Sequence, residues 1–255
     1  SLLRQLLSIS EELRAGASEG SGAAMELVDQ AEGKLFRLSE TGRRGGFEPI
    51  HEIARRGLET LEELVDRREL VTGVSTGFKK LDWMTSGFQK GDMIVLAARP
   101  SMGKTALALN IAQQAATRND LPVGVFSLEM SAEQLFFRMV SSEAMVPAHK
   151  LRTGRVSEEE WERVTHAFET LTRARIFVDD TPGVTPMEIR SKARRLKREH
   201  GVGLIVVDYL QLMSMGGSYS SRQQEISDIS RALKGIAKEL GVPMMGGSVI
   251  PLTWR

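Results

Sequence analysis

The sequence contains no cysteine, which excludes disulfides, thiolate zinc sites and thiol nucleophiles together. Only four histidines occur, scattered along the chain, so a histidine metal cage is not expected. Aromatic residues make up 5%, which leaves aliphatic side chains to build most of any core. No apolar run reaches the roughly eighteen residues of a membrane span, and the first residues do not read as a secretory signal. Charge of one sign is lacking too. The 34 Lys and Arg against 33 Asp and Glu give a net charge of +1. That excludes a strongly basic nucleic-acid glove, while a local basic surface stays open.

What is present suits a folded protein. Of 255 residues, 41% are hydrophobic and 26% charged, too apolar for a disordered chain and sufficient for a sizeable core. The length suits two average domains, or one large α/β domain with an appendage. Ser1 opens in mid-helix rather than with a methionine, and the expectation is an intracellular protein that is a piece of a longer one.

Residues 1–40 predict two helices. The first spans Leu2 to Leu13 and fades into the breaker cluster Gly16-Ala17-Ser18-Glu19-Gly20-Ser21-Gly22. The second runs from about Ala24 to Ser39, with Leu27, Ala31, Leu35 and Leu38 at helical spacing. Together they suggest a helical hairpin. Gly42-Arg43-Arg44-Gly45-Gly46 looks like a flexible joint. The stretch Ile50 to Leu70 that follows is amphipathic, with Ile53, Leu58, Leu61 and Leu64 on one face. Such a stripe must be buried, on its own domain or on a neighbouring subunit.

From about Val71 the texture changes. Short apolar runs at 93–98, 123–126, 175–178 and 204–207 have the length of buried strands. Helical patterns lie between them at about 104–118, 131–142, 157–173 and 186–199. A further helix is expected over Gln223 to Leu240, and a last strand over Val242-Pro243-Met244-Met245. This alternation predicts an α/β domain with a largely parallel sheet. No repeat of roughly twenty to fifty residues is present.

The sharpest chemical signal is Ala98-Arg99-Pro100-Ser101-Met102-Gly103-Lys104-Thr105. It follows an apolar strand and opens a helix, the context a phosphate-binding loop requires. Backbone amides and the helix dipole would face the phosphates of ATP. Lys104 would reach the β- and γ-phosphates, and the Thr105 hydroxyl would ligate Mg²⁺. The usual opening glycine is Ala98 here, small enough for the turn. The alternative is a strand–turn–helix that merely contains Gly-Lys-Thr.

Leu204-Ile205-Val206-Val207-Asp208 is an apolar strand ending in an acid, and in nucleotide hydrolases of this build such an aspartate holds the magnesium shell. Many buried strands also end in a solvated aspartate. Phe126-Ser127-Leu128-Glu129-Met130 places Glu129 at the carboxyl end of a strand, where ligands bind in open α/β sheets. There it could orient and deprotonate an attacking water. It could equally serve as a charge before the helix opened by Ser131. Asp179-Asp180-Thr181-Pro182 reads as a strand cap and turn. Arg190, Lys192, Arg194, Arg195, Lys197 and Arg198 form a basic helix flank, read as a solvated face or a nucleic-acid contact. The stretch from Met213 to Ser221 looks like a loop that can project into a ring's channel or simply link two elements.

Several long motifs, in order, resemble one family. Thr76-Gly77-Phe78-Lys79-Lys80-Leu81-Asp82, the loop from Ala97 to Thr105, Phe126-Ser127-Leu128-Glu129-Met130-Ser131, Val207-Asp208-Tyr209-Leu210-Gln211-Leu212 and the run Arg222 to Arg231 are similar to the core of the bacterial replicative DNA helicase of DnaB type. The likeness reaches to about Pro243, and the family's own loop carries the alanine seen at 98.

The resemblance implies a RecA-like ATPase that forms a homohexameric ring around single-stranded DNA. Its cofactors would be ATP and Mg²⁺, with Lys104 and Thr105 on phosphate and metal, Asp208 as the second-motif acid and Glu129 as catalytic base. It also implies primase and a helicase loader as partners, action at replication-fork DNA in the cytoplasm, and no membrane. Residues 1–41 would be part of the hairpin, 42–70 the linker and its helix, and 71–255 the motor domain.

Two departures accompany the resemblance. The globular start before the hairpin is absent. After Val242-Pro243 the family's Ser-Gln-Leu-Ser-Arg motif is replaced by Met244-Met245-Gly246-Gly247-Ser248-Val249 and the residues after it. No residue here is therefore assigned the family's coupling glutamine or trans-acting arginine. Alternatives are a RecA-like recombinase that forms filaments, a docking module for primase or loader, and, least supported, a small-molecule kinase.

Overall fold

The computed structural model describes residues 2–19, 47–67, 70–214 and 221–249. Its contacts divide the chain into two compact units, Ser1–Arg68 and Glu69–Arg255.

The first unit holds α1 (Leu2–Glu19) and α2 (Ile50–Arg67). The periodicity places the end of α1 at Leu13, but the helix continues through Gly16 to Glu19. A single helical glycine costs only about 1 kcal/mol, and Ala15 and Ala17 on either side are strong helix formers. The expected second arm of the hairpin and the glycine-rich joint lie outside the described residues. On α2 the apolar stripe is open to solvent, with Ile50, Leu58, Leu61 and Val65 all more than half exposed.

The second unit opens with α3 (Lys79–Thr85), a short helix that the periodicity does not predict. The expected alternation then follows. It runs β1 (Met93–Ala98), α4 (Lys104–Arg118), β2 (Val123–Ser127), α5 (Ala132–Ala144), α6 (Ala148–Thr153), α7 (Glu158–Arg173), β3 (Ile176–Asp179), α8 (Pro186–His200) and β4 (Leu204–Asp208). A 3₁₀ turn at Leu210–Leu212, α9 (Arg222–Leu240) and β5 (Met244–Val249) complete it. Most of the expected loop between that turn and α9 lies outside the described residues. The short helix α6 is the other element absent from the sequence reading. Strand β5 runs on to Val249, beyond the expected Met245.

All strand pairs are parallel, in the order β1-β5-β4-β2-β3. The central strands β2 and β4 are buried along their whole length. This explains why they read as unbroken apolar runs rather than alternating ones. Helices α4, α5 and α7 cover one face around Ile111, Leu135 and Val164, while α8 and α9 cover the other around Ile189, Leu233 and Ile205.

Local signals set the helix ends. Ser131 with Gln134, Ser157 with Glu160, and Thr185 with Glu188 form capping boxes at the starts of α5, α7 and α8. Gly154, Gly201 and Gly241 close α6, α8 and α9 in the left-handed conformation.

The basic flank of α8 is committed to structure. Arg190 and Arg194 both pair with Glu239 of α9, Lys192 lies 2.6 Å from Asp179, and Arg195 pairs with Glu199 on its own helix. Lys197 donates to the Val202 carbonyl. These pairings favour the structural reading of that flank over nucleic-acid contact.

Candidate phosphate-binding site

Parallel strands deliver Ala98, Ser127 and Asp208 to the same edge of the sheet, with Ser127 directly opposite Asp208. The loop after Ala98 turns at Arg99, whose carbonyl accepts from the Met102 amide. Ser101 and Gly103 both have positive φ, at 63° and 85°. A Cβ at Gly103 would meet nothing within 4 Å, so glycine is needed there for its backbone conformation rather than for space. Lys104 and Thr105 are the first two residues of α4, where helix amides lack intrahelical partners and the dipole favours an anion.

Lys104 and Thr105 meet Asp208 across the edge. The Lys104 Nζ lies 3.1 Å from Asp208 Oδ1, with both side chains about 10% exposed. The Thr105 hydroxyl donates to Asp208 Oδ2 at 2.5 Å. Lys104 Nζ also stands 4.0 Å above the Tyr209 ring, a cation–π contact that adds to its orientation.

Glu129 follows β2 and is exposed, and it lines the same cleft of about 940 Å³ as the loop. Serving as a helix charge is not its position, because Ser131 caps α5 and the Ala132 amide bonds to Asp180 at 2.9 Å. Asp179 and Asp180 therefore stay out of the cleft. Burial pushes the Asp179 carboxyl up, but hydrogen bonds from Lys192 and Thr181 outweigh it and hold the group below its usual value.

Thr105 Oγ1 and the Asp208 carboxylate present hard oxygen donors at one point, and these fit Mg²⁺. Among the described residues no group of three or more His, Cys, Asp or Glu could enclose a metal. A bound magnesium ion would therefore complete its shell with phosphate and water oxygens, and it would supply charge neutralisation.

Sequence reasoning missed several residues. Tyr209 carries no motif that foretells its ring beneath Lys104. Gly247 of β5 comes so close that a Cβ there would lie 2.5 Å from Asp208 Oδ1. The signal for it was a glycine pair inside a strand pattern, which marks close backbone approach. Gln211 donates to the Ser248 hydroxyl at 2.9 Å, and Arg222 donates to the carbonyls of Gln211 and Met213. These bonds fasten the 3₁₀ turn after Asp208 to β5 and to the start of α9.

A parallel sheet with a phosphate loop after its first strand, and an acid ending a neighbouring strand, defines the RecA-like class of nucleotide-binding ATPase folds. The chain belongs to the family of the DnaB-like helicase C-terminal domain, whose model matches residues 73–250.

The replicative DNA helicase DnaC of Bacillus subtilis is 44% identical over 246 residues, covering 96% of this chain and 54% of that protein. The replicative DNA helicase DnaB of Geobacillus stearothermophilus is 45% identical with the same shares. The chain thus spans about half the length of the curated relatives it matches. Among solved structures, an isolated ATPase domain superposes with a TM-score of 0.75 at 33% identity, over 81% of this chain and 73% of that one. A DnaB-like replicative helicase, described with its interactions with primase, gives 0.71 at 30% identity over 98% of this chain and 58% of that one.

Proposed function

We propose that this chain is the motor portion of a hexameric replicative DNA helicase, hydrolysing ATP to move along single-stranded DNA and open the duplex. The observation that carries the proposal is the convergence of Lys104, Thr105 and Asp208 at the carboxyl edge of the sheet, with Glu129 on the same cleft. Phosphoryl transfer to water needs positioning and charge stabilisation more than covalent chemistry. In this reading the loop amides of residues 99–105 and Lys104 hold the phosphates. Thr105 and Asp208 hold the metal. Glu129, free of hydrogen bonds from the described residues, aligns the attacking water and takes its proton.

The family's assembly supplies the rest. Residues 1–41 form part of the hairpin collar and 42–70 the linker, whose α2 docks on a neighbouring copy. The segment from Met213 to Ser221 faces the DNA, and primase and a loader bind the assembled ring in the cytoplasm. Membership of the DnaB-like family supports this reading over a filament-forming recombinase.

The test is ATP turnover by this chain with and without single-stranded DNA, beside Lys104→Ala and Glu129→Gln. Turnover stimulated by DNA and abolished in Lys104→Ala is expected. Glu129→Gln should keep nucleotide affinity while slowing turnover at least about a hundredfold. Nucleotide binding that survives Lys104→Ala unchanged would refute the site.

A further inference from the structure

The cleft beside Lys104 is larger than a polyphosphate requires. Its volume of about 940 Å³ is near the upper end of small-molecule sites, and the phosphate loop forms only one end. The opposite wall belongs to α5 and α6 and presents Phe137, Arg138, Leu151 and Arg152.

Phe137 is 44% exposed, unlike Phe88 and Phe126 in the core at 6% and 3%. Its ring is braced from behind. Phe136 meets it edge-on at 6.2 Å and 62°, and Phe168 holds Phe136 edge-on at 5.0 Å and 82°. Three rings locked in T-shaped contacts fix the outer one as a platform. Leu151 extends the apolar surface. Arg138 and Arg152 are exposed and have no carboxylate partner among the described residues.

Cations alone would suffice for phosphate. An aromatic face flanked by planar guanidinium groups instead matches the π surface of a heteroaromatic ring. No buried polar side chain points into this wall, because Glu133 and Gln134 are exposed and Gln134 is engaged in the capping box of α5.

We infer that the α5–α6 wall is the seat of the nucleobase, with the ring stacked on Phe137 between Arg138 and Arg152. The inference rests on the phosphate reading of Lys104 and extends it to the other end of the ligand.

Titration with two magnesium-loaded probes separates the two ends: a non-hydrolysable ATP analogue, and inorganic tripolyphosphate, which has no base. Phe137→Ala should weaken the analogue at least about fivefold and leave tripolyphosphate within about twofold. Phe137→Tyr should restore the analogue. Phe137→Leu keeps apolar bulk without the ring, so it should behave like Phe137→Ala even if the smaller side chain disturbs folding. Lys104→Ala should weaken both probes.

Equal loss of both probes in the Phe137 variants would make the residue merely structural and overturn the seat. So would unchanged affinity for the analogue, including the case where the variants alter oligomeric state and Phe137 is a subunit contact. Tripolyphosphate binding that depends on Lys104, together with analogue binding that ignores Phe137, refutes the seat and spares the phosphate site. Failure of the unaltered protein to bind either probe refutes both.

Discussion

Two glycines near the cleft are required for different physical reasons. Gly103 has open space around it and a φ of 85°, so a side chain there would strain the backbone. Gly247 has no such conformation but no room, since a Cβ would sit 2.5 Å from Asp208 Oδ1 and 3.2 Å from Lys104 Cδ and Cε. Neither the carboxylate nor the lysine stem can withdraw without breaking the ion pair and the hydrogen bond from Thr105. Gly247→Ala should therefore lower stability by about 1–3 kcal/mol and weaken Mg²⁺–nucleotide binding about tenfold or more. Isothermal titration with an ATP analogue, beside far-UV circular dichroism to check the fold, measures it. Unchanged affinity would show that β5 does not hold the pair in place.

At the scale of elements, α3 is short and lacks a side-chain cap, yet it is pinned by one of its own acids. The Asp82 carboxylate accepts from the Ser75 hydroxyl at 2.7 Å, the Thr76 amide at 2.8 Å, the Thr76 hydroxyl at 2.7 Å and the Gly77 amide at 3.3 Å. Burial pushes the carboxyl up, but the hydrogen bonds from Thr76, Ser75 and Gly77 outweigh it and hold Asp82 below its ordinary value. A depressed folded value stabilises the protein above the unfolded pKa of about 3.9, and that stability is lost as pH falls through the folded value. Asp82→Asn should cost about 1–3 kcal/mol at neutral pH. It should also flatten the loss of stability below about pH 4. Urea unfolding across a pH series decides, and an unaltered acid limb would mean that the carboxylate is not what titrates. The motif that resembled a family signature at 76–82 is, in physical terms, a carboxylate-stapled loop.

For the whole molecule, the open question is how copies meet. The stripe of Leu58 and Leu61 on α2 is about 60% exposed, an extent of apolar surface that marks a contact face. In the proposed ring it docks on another copy. Leu58→Asp with Leu61→Asp should shift the protein to monomers by light scattering while nucleotide binding at Lys104 persists. DNA-stimulated turnover should fall with assembly, because a group supplied across an interface can carry several orders of magnitude in rate. An unchanged mass distribution would place the stripe elsewhere.

Much of the fold was legible because its signals are local. Apolar runs of strand length, capping residues such as Ser157 and Thr185, and the glycine of the phosphate loop act within a few residues of themselves. The alternation of β2 through β4 with their helices therefore followed from the chain alone, as did Lys104, Thr105, Asp208 and Glu129 as candidates. The short helices α3 and α6 did not, since Asp82 and the packing of Leu151 stabilise them through contacts rather than through periodicity. The continuation of α1 past Gly16 was hidden by the same weakness of propensity as evidence. Only tertiary structure decided that β5 inserts between β1 and β4, bringing Gly247 against Asp208. It also set Tyr209 beneath Lys104 and turned Phe137 toward the cleft. Those facts depend on residues roughly forty to more than a hundred positions apart becoming neighbours, and sheet order, which no local pattern encodes, is what joins them.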